Sequence, residues 1–390
     1  MTTSMREVPL AGGPVEFRGA LELETTEAAV LPLRLPAWTR AQYPDAFMRG
    51  VADMPTGVRL AFRTEARLLE LDVLTTVWHF DSEPEPMGPG LVDLVVDGEP
   101  ADRAEVPVGN IVRLSDLQGE RRLEPGAPGT VRFAGLGAGV KEVELWLPQQ
   151  TRTELIALRA DAEVVPPAPS GRRRWVHHGS SISHCIEADA PTGTWPAVAA
   201  AIAGVDLVNL SQAGNAMLDP YVARTIRDTP ADLISVKVGI NIVNAASFRR
   251  RTFAPAVHGF LDTVRDGHPD TPLLLISPIS CPAVEDTPGP GVWTPEGIKA
   301  TGDRADVARG ALTLNVVRDA LARIAGERGR HDRNLHYLDG RELFGPGDVD
   351  DLPDGLHPNA AGYRRIGKRF ADVGLGPQGA FGARRPGGGC

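Results

Sequence analysis

The sequence predicts two domains of different class, an antiparallel β-sandwich followed by an α/β domain built on a parallel sheet. Three observations carry this. Residues 1–165 alternate apolar and polar with period two, residues 166–174 are rich in proline and arginine, and residues 175–373 alternate short apolar runs with helix-length segments. The length of 390 residues suits two domains, and 42% hydrophobic against 23% charged residues is a globular balance. The 43 Gly and 34 Pro stay below the roughly 25–30% that marks low-complexity chains.

The first domain is read from Val58 to Arg63, Leu69 to Val73 and Val143 to Leu147, each a period-2 run bounded by Gly, Pro or Asp turns such as Asp97-Gly98. Val165-Pro166-Pro167-Ala168-Pro169-Ser170-Gly171 then makes a stiff connector, and the domain boundary is placed at 166–174. The strands expected beyond it are Trp175-Val176, Val205 to Leu210, Leu233 to Val238, Leu273 to Ile276 and Leu335 to Leu338. The helices expected between them are Trp195–Ala203, Phe253–Gly267, Ala305–Arg328 and Ala360–Phe370. Gly374 to Cys390 reads as a flexible tail.

Charge and cysteine content exclude several classes. A net charge of −9 argues against a surface built for nucleic acid. No run of about 18 apolar residues is present, and neither a membrane span nor a secretory signal is expected. Cys185, Cys281 and Cys390 are too few for a disulfide framework, which points to a reducing, cytoplasmic location.

In open α/β sheets the functional residues gather at the carboxyl ends of the strands. The first such end carries His177-His178-Gly179-Ser180-Ser181-Ile182-Ser183-His184. A serine just past a strand is aimed at the crevice, with helix N–H groups nearby for a developing oxyanion, although Ser and Gly are also ordinary turn residues. It is not the G-x-S-x-G elbow, because Ser183 stands where the last Gly belongs. Asp354-Gly355-Leu356-His357-Pro358-Asn359 places a carboxylate three residues before a histidine, close enough to fix its tautomer. Asp354 and Asn359 also suit a loop and a helix cap, and the two readings are compatible. Gly214 and Asn241 follow the second and third strands and offer the donor types an oxyanion needs, or simple turn residues.

These four blocks, Gly179-Ser180-Ser181-Ile182, Gly214, Gly239-Ile240-Asn241 and Asp354-Gly355-Leu356-His357-Pro358, resemble in order those of the SGNH (GDSL-type) hydrolases over about residues 175–373. The resemblance implies a flavodoxin-like fold with Ser181 as nucleophile, His357 as base and Asp354 as its partner. It also implies an oxyanion hole of the Ser181 and Gly214 N–H groups and the Asn241 amide. Two positions depart from the family: its Asp before the nucleophile is Ser180 here, and the Asp that often follows the oxyanion Asn is Ile242. A sandwich, jelly-roll-like, ahead of such a domain also resembles certain carbohydrate esterases and GDSL-type acyltransferases of polyketide tailoring.

The expected chemistry is serine acyl transfer on an ester or acyl-CoA, with water or a small-molecule alcohol resolving the acyl-enzyme. A carbohydrate esterase and a non-catalytic glycan-binding protein are the alternatives. No cofactor and no metal are expected. His177 and His178 are successive strand residues facing opposite ways, and neither H-E-x-x-H nor paired Cys is present. Gly135-Leu136-Gly137-Ala138-Gly139 lacks the spacing of a dinucleotide loop. Trp38, Trp78 and Trp146 suit either sugar stacking or a sandwich core. The stretch from Pro282 to Pro295, with Trp293, is expected as a long loop over Ser181.

Overall fold

The computed structural model describes residues 5–88, 90–116 and 119–381. The chain divides into two compact units, Met1–Gly171 with Asp189–Thr192, and Arg172–Ala188 with Gly193–Cys390.

The first unit holds two sheets. One runs in the order Arg121–Glu124, Asn110–Leu114, Leu68–Phe80, Arg152–Ala160, Val30–Leu33 and Glu22–Thr25, with Gly129–Ala134 and Arg6–Val8 pairing off this path. The other runs Val164–Val165, Arg59–Thr64, Lys141–Trp146, Leu91–Val96 and Glu99–Glu105, joined by Glu16–Arg18. Every pairing is antiparallel except Leu68–Phe80 with Asn110–Leu114, which is parallel. Period-2 patterning sends Leu69, Leu71, Val73, Val143 and Leu145 into one core with Leu60, Phe62 and Phe133. Strand Arg59–Thr64 departs from simple alternation. Arg59 is buried, with its guanidinium 4.7 Å from the centre of the Trp146 ring in a cation–π contact and its Nε 3.7 Å from Glu144 Oε2. Trp78 and Trp146 are buried and Trp38 is exposed. The glycine stretch 135–139 links strands Gly129–Ala134 and Lys141–Trp146.

The second unit is a parallel sheet flanked by helices. Its strands are β1 (Arg174–His178), β2 (Asp206–Asn209), β3 (Leu233–Lys237), β4 (Leu273–Ile276) and β5 (Leu335–Leu338). They lie in the order β2-β1-β3-β4-β5, all parallel. This is the flavodoxin-like order, which puts the topological switch point, and with it the crevice, between β1 and β3. The helices are α1 (Ser181–His184), α2 (Trp195–Ala203), α3 (Pro220–Asp228), α4 (Ile240–Asn244), α5 (Arg250–Gly267), α6 (Leu314–Arg328) and α7 (Ala360–Val373).

Consecutive histidines on β1 show how the two faces are covered. The His177 ring meets Trp195 of α2 at 4.8 Å, while the His178 ring stacks on Phe260 of α5 at 6.1 Å. Trp175, two residues before His177, stacks on Phe370 of α7 at 5.1 Å and donates its indole N–H to the Ser235 hydroxyl. Gly367 lets α7 approach α2, since a Cβ there would stand 2.7 Å from that of Val198.

The expected helix over Ala305–Arg328 is instead a 3₁₀ turn, Arg304–Val307, and then α6, which begins where the Thr313 hydroxyl accepts from the Val316 N–H. The expected loop from Pro282 to Pro295 contains a 3₁₀ turn, Pro282–Val284, and one strand of an antiparallel hairpin, Gly291–Thr294 against Gly297–Ala300. Residues 374–381 fold back on the end of α7, with Phe381 N–H bonded to the Gly374 carbonyl and both Leu375 and Phe381 buried. The rest of the expected tail lies outside the described residues.

Candidate active site

Ser181 opens α1 two residues after Gly179, at the carboxyl end of β1. The turn is tight: a Cβ on Gly179 would lie 2.5 Å from the Ser183 hydroxyl oxygen. The end of β2 and the loop after it are tied to this turn, with the Asn209 amide donating to the Ser183 carbonyl and the Gln212 N–H to that of Gly179. Ser181 is 7% exposed, and its Oγ lies 2.8 Å from His357 Nε2.

His357 sits on the loop before α7, and both sides of that loop are anchored. Asn359 caps α7 by accepting the Gly362 N–H, while its amide donates to Asp351. Arg365 bonds Asp351, and Arg369 bonds Asp348. Asp354 serves both roles its spacing allows. Its Oδ1 accepts the Leu356 and His357 N–H groups, an Asx-type turn, and its Oδ2 lies 2.7 Å from His357 Nδ1. A proton on Nδ1 donated to Asp354 leaves Nε2 as the acceptor for the Ser181 hydroxyl.

The electrostatics fit that proton arrangement. Burial pushes the Asp354 carboxyl up, but the hydrogen bond and charge of His357, with the two N–H groups, outweigh it and hold Asp354 below its ordinary range. Burial likewise pulls His357 down, yet Glu187 and Asp354 together outweigh it and raise its pKa.

Gly214 and Asn241 reach the same end of the sheet from β2 and β3. Gly214 is the third residue of the turn Gln212–Asn215, with φ 70°, a conformation glycine adopts without strain. Gly239 precedes α4 with φ 128°, and a Cβ there would stand 2.6 Å from Val317 Cγ1 and 2.7 Å from Pro278 Cγ. Asn241, buried in α4, accepts the Ala216 N–H on Oδ1, so its remaining capacity is the Nδ2 donor pair. Ser180 and Ile242 are both buried, and neither carries a charge into the site.

Two further residues meet His357, and a third reaches it through one of them. Trp293, 56% exposed at the end of the hairpin, stacks its ring on the His357 ring at 6.0 Å and 18°. The hairpin is joined to the histidine loop by the Ile298 N–H on the Asp354 carbonyl. Glu187 Oε1 is 3.5 Å from His357 Nδ1, and Glu187 Oε2 accepts the Tyr363 hydroxyl at 2.8 Å. Sequence reasoning missed Glu187 and Tyr363, because neither belongs to a pattern; the folded turn brings Glu187 to the histidine, and Tyr363 reaches Glu187 from α7.

His177 and His178 stand apart from this chemistry. His177 Nδ1 bonds the Ser235 hydroxyl and His178 Nδ1 bonds the Leu210 carbonyl, on opposite faces of the sheet. Among the described residues no group of three or more His, Cys, Asp or Glu is placed to hold a metal ion. No helix among them is long and apolar enough to cross a membrane.

Comparison with known proteins accords with this geometry. The model of the GDSL-like lipase/acylhydrolase family matches residues 178–365, and that of the SsfX3 N-terminal domain matches residues 15–155. The structure of the salicylyl-acyltransferase SsfX3 from a tetracycline biosynthetic pathway is 30% identical, with a TM-score of 0.78 over 94% of this chain and 95% of that one. A candidate GDSL-like lipase from Bacteroides ovatus is 18% identical, with a TM-score of 0.65 over 94% and 96% of the two chains. A family two carbohydrate esterase from Cellvibrio japonicus is 14% identical, with a TM-score of 0.56 over 96% and 97%. A search of the curated proteins finds no match.

Proposed function

The chain belongs to the GDSL-like lipase/acylhydrolase family, and from that premise we propose that it is a serine acyltransferase that moves an acyl group onto a small-molecule hydroxyl. The observation that carries the reading is the hydrogen-bonded line from Asp354 through His357 to Ser181, at 2.7 and 2.8 Å. In this reading Ser181 Oγ attacks the carbonyl of an ester or acyl-CoA while His357 Nε2 takes its proton. The Ser181 and Gly214 N–H groups and Asn241 Nδ2 hold the oxyanion. His357 returns the proton to the leaving alkoxide or thiolate, and an acyl-enzyme remains. An acceptor hydroxyl then gives its proton to His357 and attacks, and Ser181 leaves as the alcohol.

Two observations favour a small aromatic partner. The exposed Trp293 ring lies nearly parallel to that of His357 and offers a flat apolar wall beside the base. The 30% identical relative is named for salicylyl transfer in a tetracycline pathway. A cytoplasmic location, where CoA thioesters are available, is supported by the two free buried thiols, Cys185 and Cys281. A carbohydrate esterase would use the same three residues with water as the acceptor.

The test is to incubate the full chain with aromatic and aliphatic acyl-CoA donors, with and without polycyclic phenols and alcohols, and to follow ester against free acid by mass spectrometry. Ester formation that rises with acceptor at the expense of free acid is the expected result. Rapid release of free acid unchanged by any acceptor would make the protein a hydrolase, and preferential deacetylation of acetylated glycans would make it a carbohydrate esterase. Glycan binding with neither activity would leave it a binding protein.

A further inference from the structure

We propose that Glu187 is a positioning residue for His357, a second carboxylate that holds the Nδ1 edge of the base and shares with Asp354 the charge formed on the ring during acyl transfer. The inference rests on the reading of His357 as the base of a Ser181 acyl-enzyme.

The geometry separates the two carboxylates by role. The ring has one proton at Nδ1, and Asp354 Oδ2 receives it at 2.7 Å. Glu187 Oε1 at 3.5 Å is beyond an ordinary hydrogen bond, so it acts on the ring through charge. That charge persists when the proton moves, because it does not depend on the one N–H already given to Asp354.

Glu187 is held from two sides. Its backbone lies in the turn Cys185–Ala188, closed by the Ala188 N–H on the Cys185 carbonyl, directly after the helix that Ser181 opens. Its Oε2 accepts the hydroxyl of Tyr363, a fully buried residue of α7. The Ser181 helix and the helix that follows His357 are therefore both tied to this carboxylate. Its side chain is 36% exposed, so solvent reaches the carboxylate while Tyr363 holds its far oxygen.

The remaining groups that face the pair leave these two carboxylates in control. Asp354 comes from the histidine's own loop, Ser181 from α1 and the uncharged Trp293 ring from the hairpin. Tyr363 and Cys185 face Glu187, and burial, with the nearby carboxylate, raises both so that they stay neutral at assay pH. Lys237, which burial lowers to about 8, faces Cys185, and Cys281, which burial raises to about 12, faces Asp354. Glu187 raises the basicity of His357, so its loss makes the ring neutral at lower pH while weakening the imidazolium of the transition state.

The experiment measures kcat/KM against pH for aryl-ester turnover by the full chain, as wild type, Glu187→Gln and Glu187→Asp, after a fluorophosphonate has been shown to label Ser181 of the wild type. Glu187→Gln should move the acid limb down by about one pH unit and lower the plateau about 5–10-fold, as expected for one charge removed from a partly exposed pair. Glu187→Asp, with the charge drawn back by one methylene, should give an acid limb between the other two. A role confined to holding Tyr363 would lower the plateau or the melting temperature and leave the limb in place. Acid limbs that coincide in labelled, folded variants overturn the inference, and if Glu187→Gln does not fold, an Asp limb that coincides with wild type does so alone. A wild type that takes no label overturns the acyl-enzyme reading itself.

Discussion

Asn241 accepts the Ala216 N–H on its Oδ1, which leaves its Nδ2 as the donor for the oxyanion role proposed above. An Nδ2 donor aimed at a developing oxyanion gains strength only as charge builds on the oxygen. Asn241→Ala should therefore lower kcat by about 10²–10³-fold with KM nearly unchanged, measured by steady-state kinetics on an activated ester. A loss confined to KM would make Asn241 a residue that positions substrate. The same scale explains what the sequence made legible. Asp354 and His357 are three residues apart, so their contact is local and spacing alone suggests it. Glu187 reaches the same ring only because Cys185, at φ 62°, ends the helix and redirects the chain, and no local pattern announces that.

Among the elements, the turn before α4 rests on a conformation that glycine adopts most readily. Gly239 adopts φ 128°, and any Cβ there meets Val317 and Pro278. Gly239→Ala should destabilise the protein by about 1–3 kcal/mol, read from denaturant unfolding, and should reduce kcat by displacing Asn241. Unchanged stability would show that the turn relaxes without strain. The hairpin makes a separate claim. Trp293→Ala should weaken KM for an aromatic acyl donor about 2–10-fold and leave acetyl-ester turnover nearly unaffected, in keeping with one stacking contact. Equal losses on both substrates would mean that the indole supports His357 rather than the substrate. These elements also mark where reading the sequence stopped. Strands of four residues, such as Gly291–Thr294, are too short for period two to declare itself. The apolar periodicity of Ala305–Arg328 concealed the break at which Thr313 starts a new helix.

Across the whole molecule, strand–helix alternation was legible because each parallel strand is a short apolar run separated from the next by a helix, and βαβ connection leaves few ways to pair them. The order β2-β1-β3-β4-β5 was not contained in that pattern; it depends on which side of the sheet each crossover takes. Stability as a function of pH is likewise a property of the whole. Burial holds His177 neutral, with its pKa well below the ordinary value, so below about pH 6.5 the unfolded chain binds a proton that the folded chain refuses. The stabilisation is present above that pH and is lost as pH falls toward the folded pKa. His357, raised instead, works in the opposite direction. His177→Asn should therefore flatten the fall in melting temperature between pH 7 and pH 5 relative to wild type, as followed by calorimetry. Parallel curves would remove His177 from the account.

The central claim is that Ser181 carries the acyl group between donor and acceptor. Its most direct measurement is intact-mass analysis of the full chain quenched in acid during turnover of an aryl ester, followed by peptide mapping. The expected result is a mass increase of one acyl group on the peptide containing Ser181, absent in Ser181→Ala and discharged when acceptor is added. An adduct on Ser180 or Ser183, or turnover with no adduct under conditions that trap a slow-deacylating donor, would contradict it.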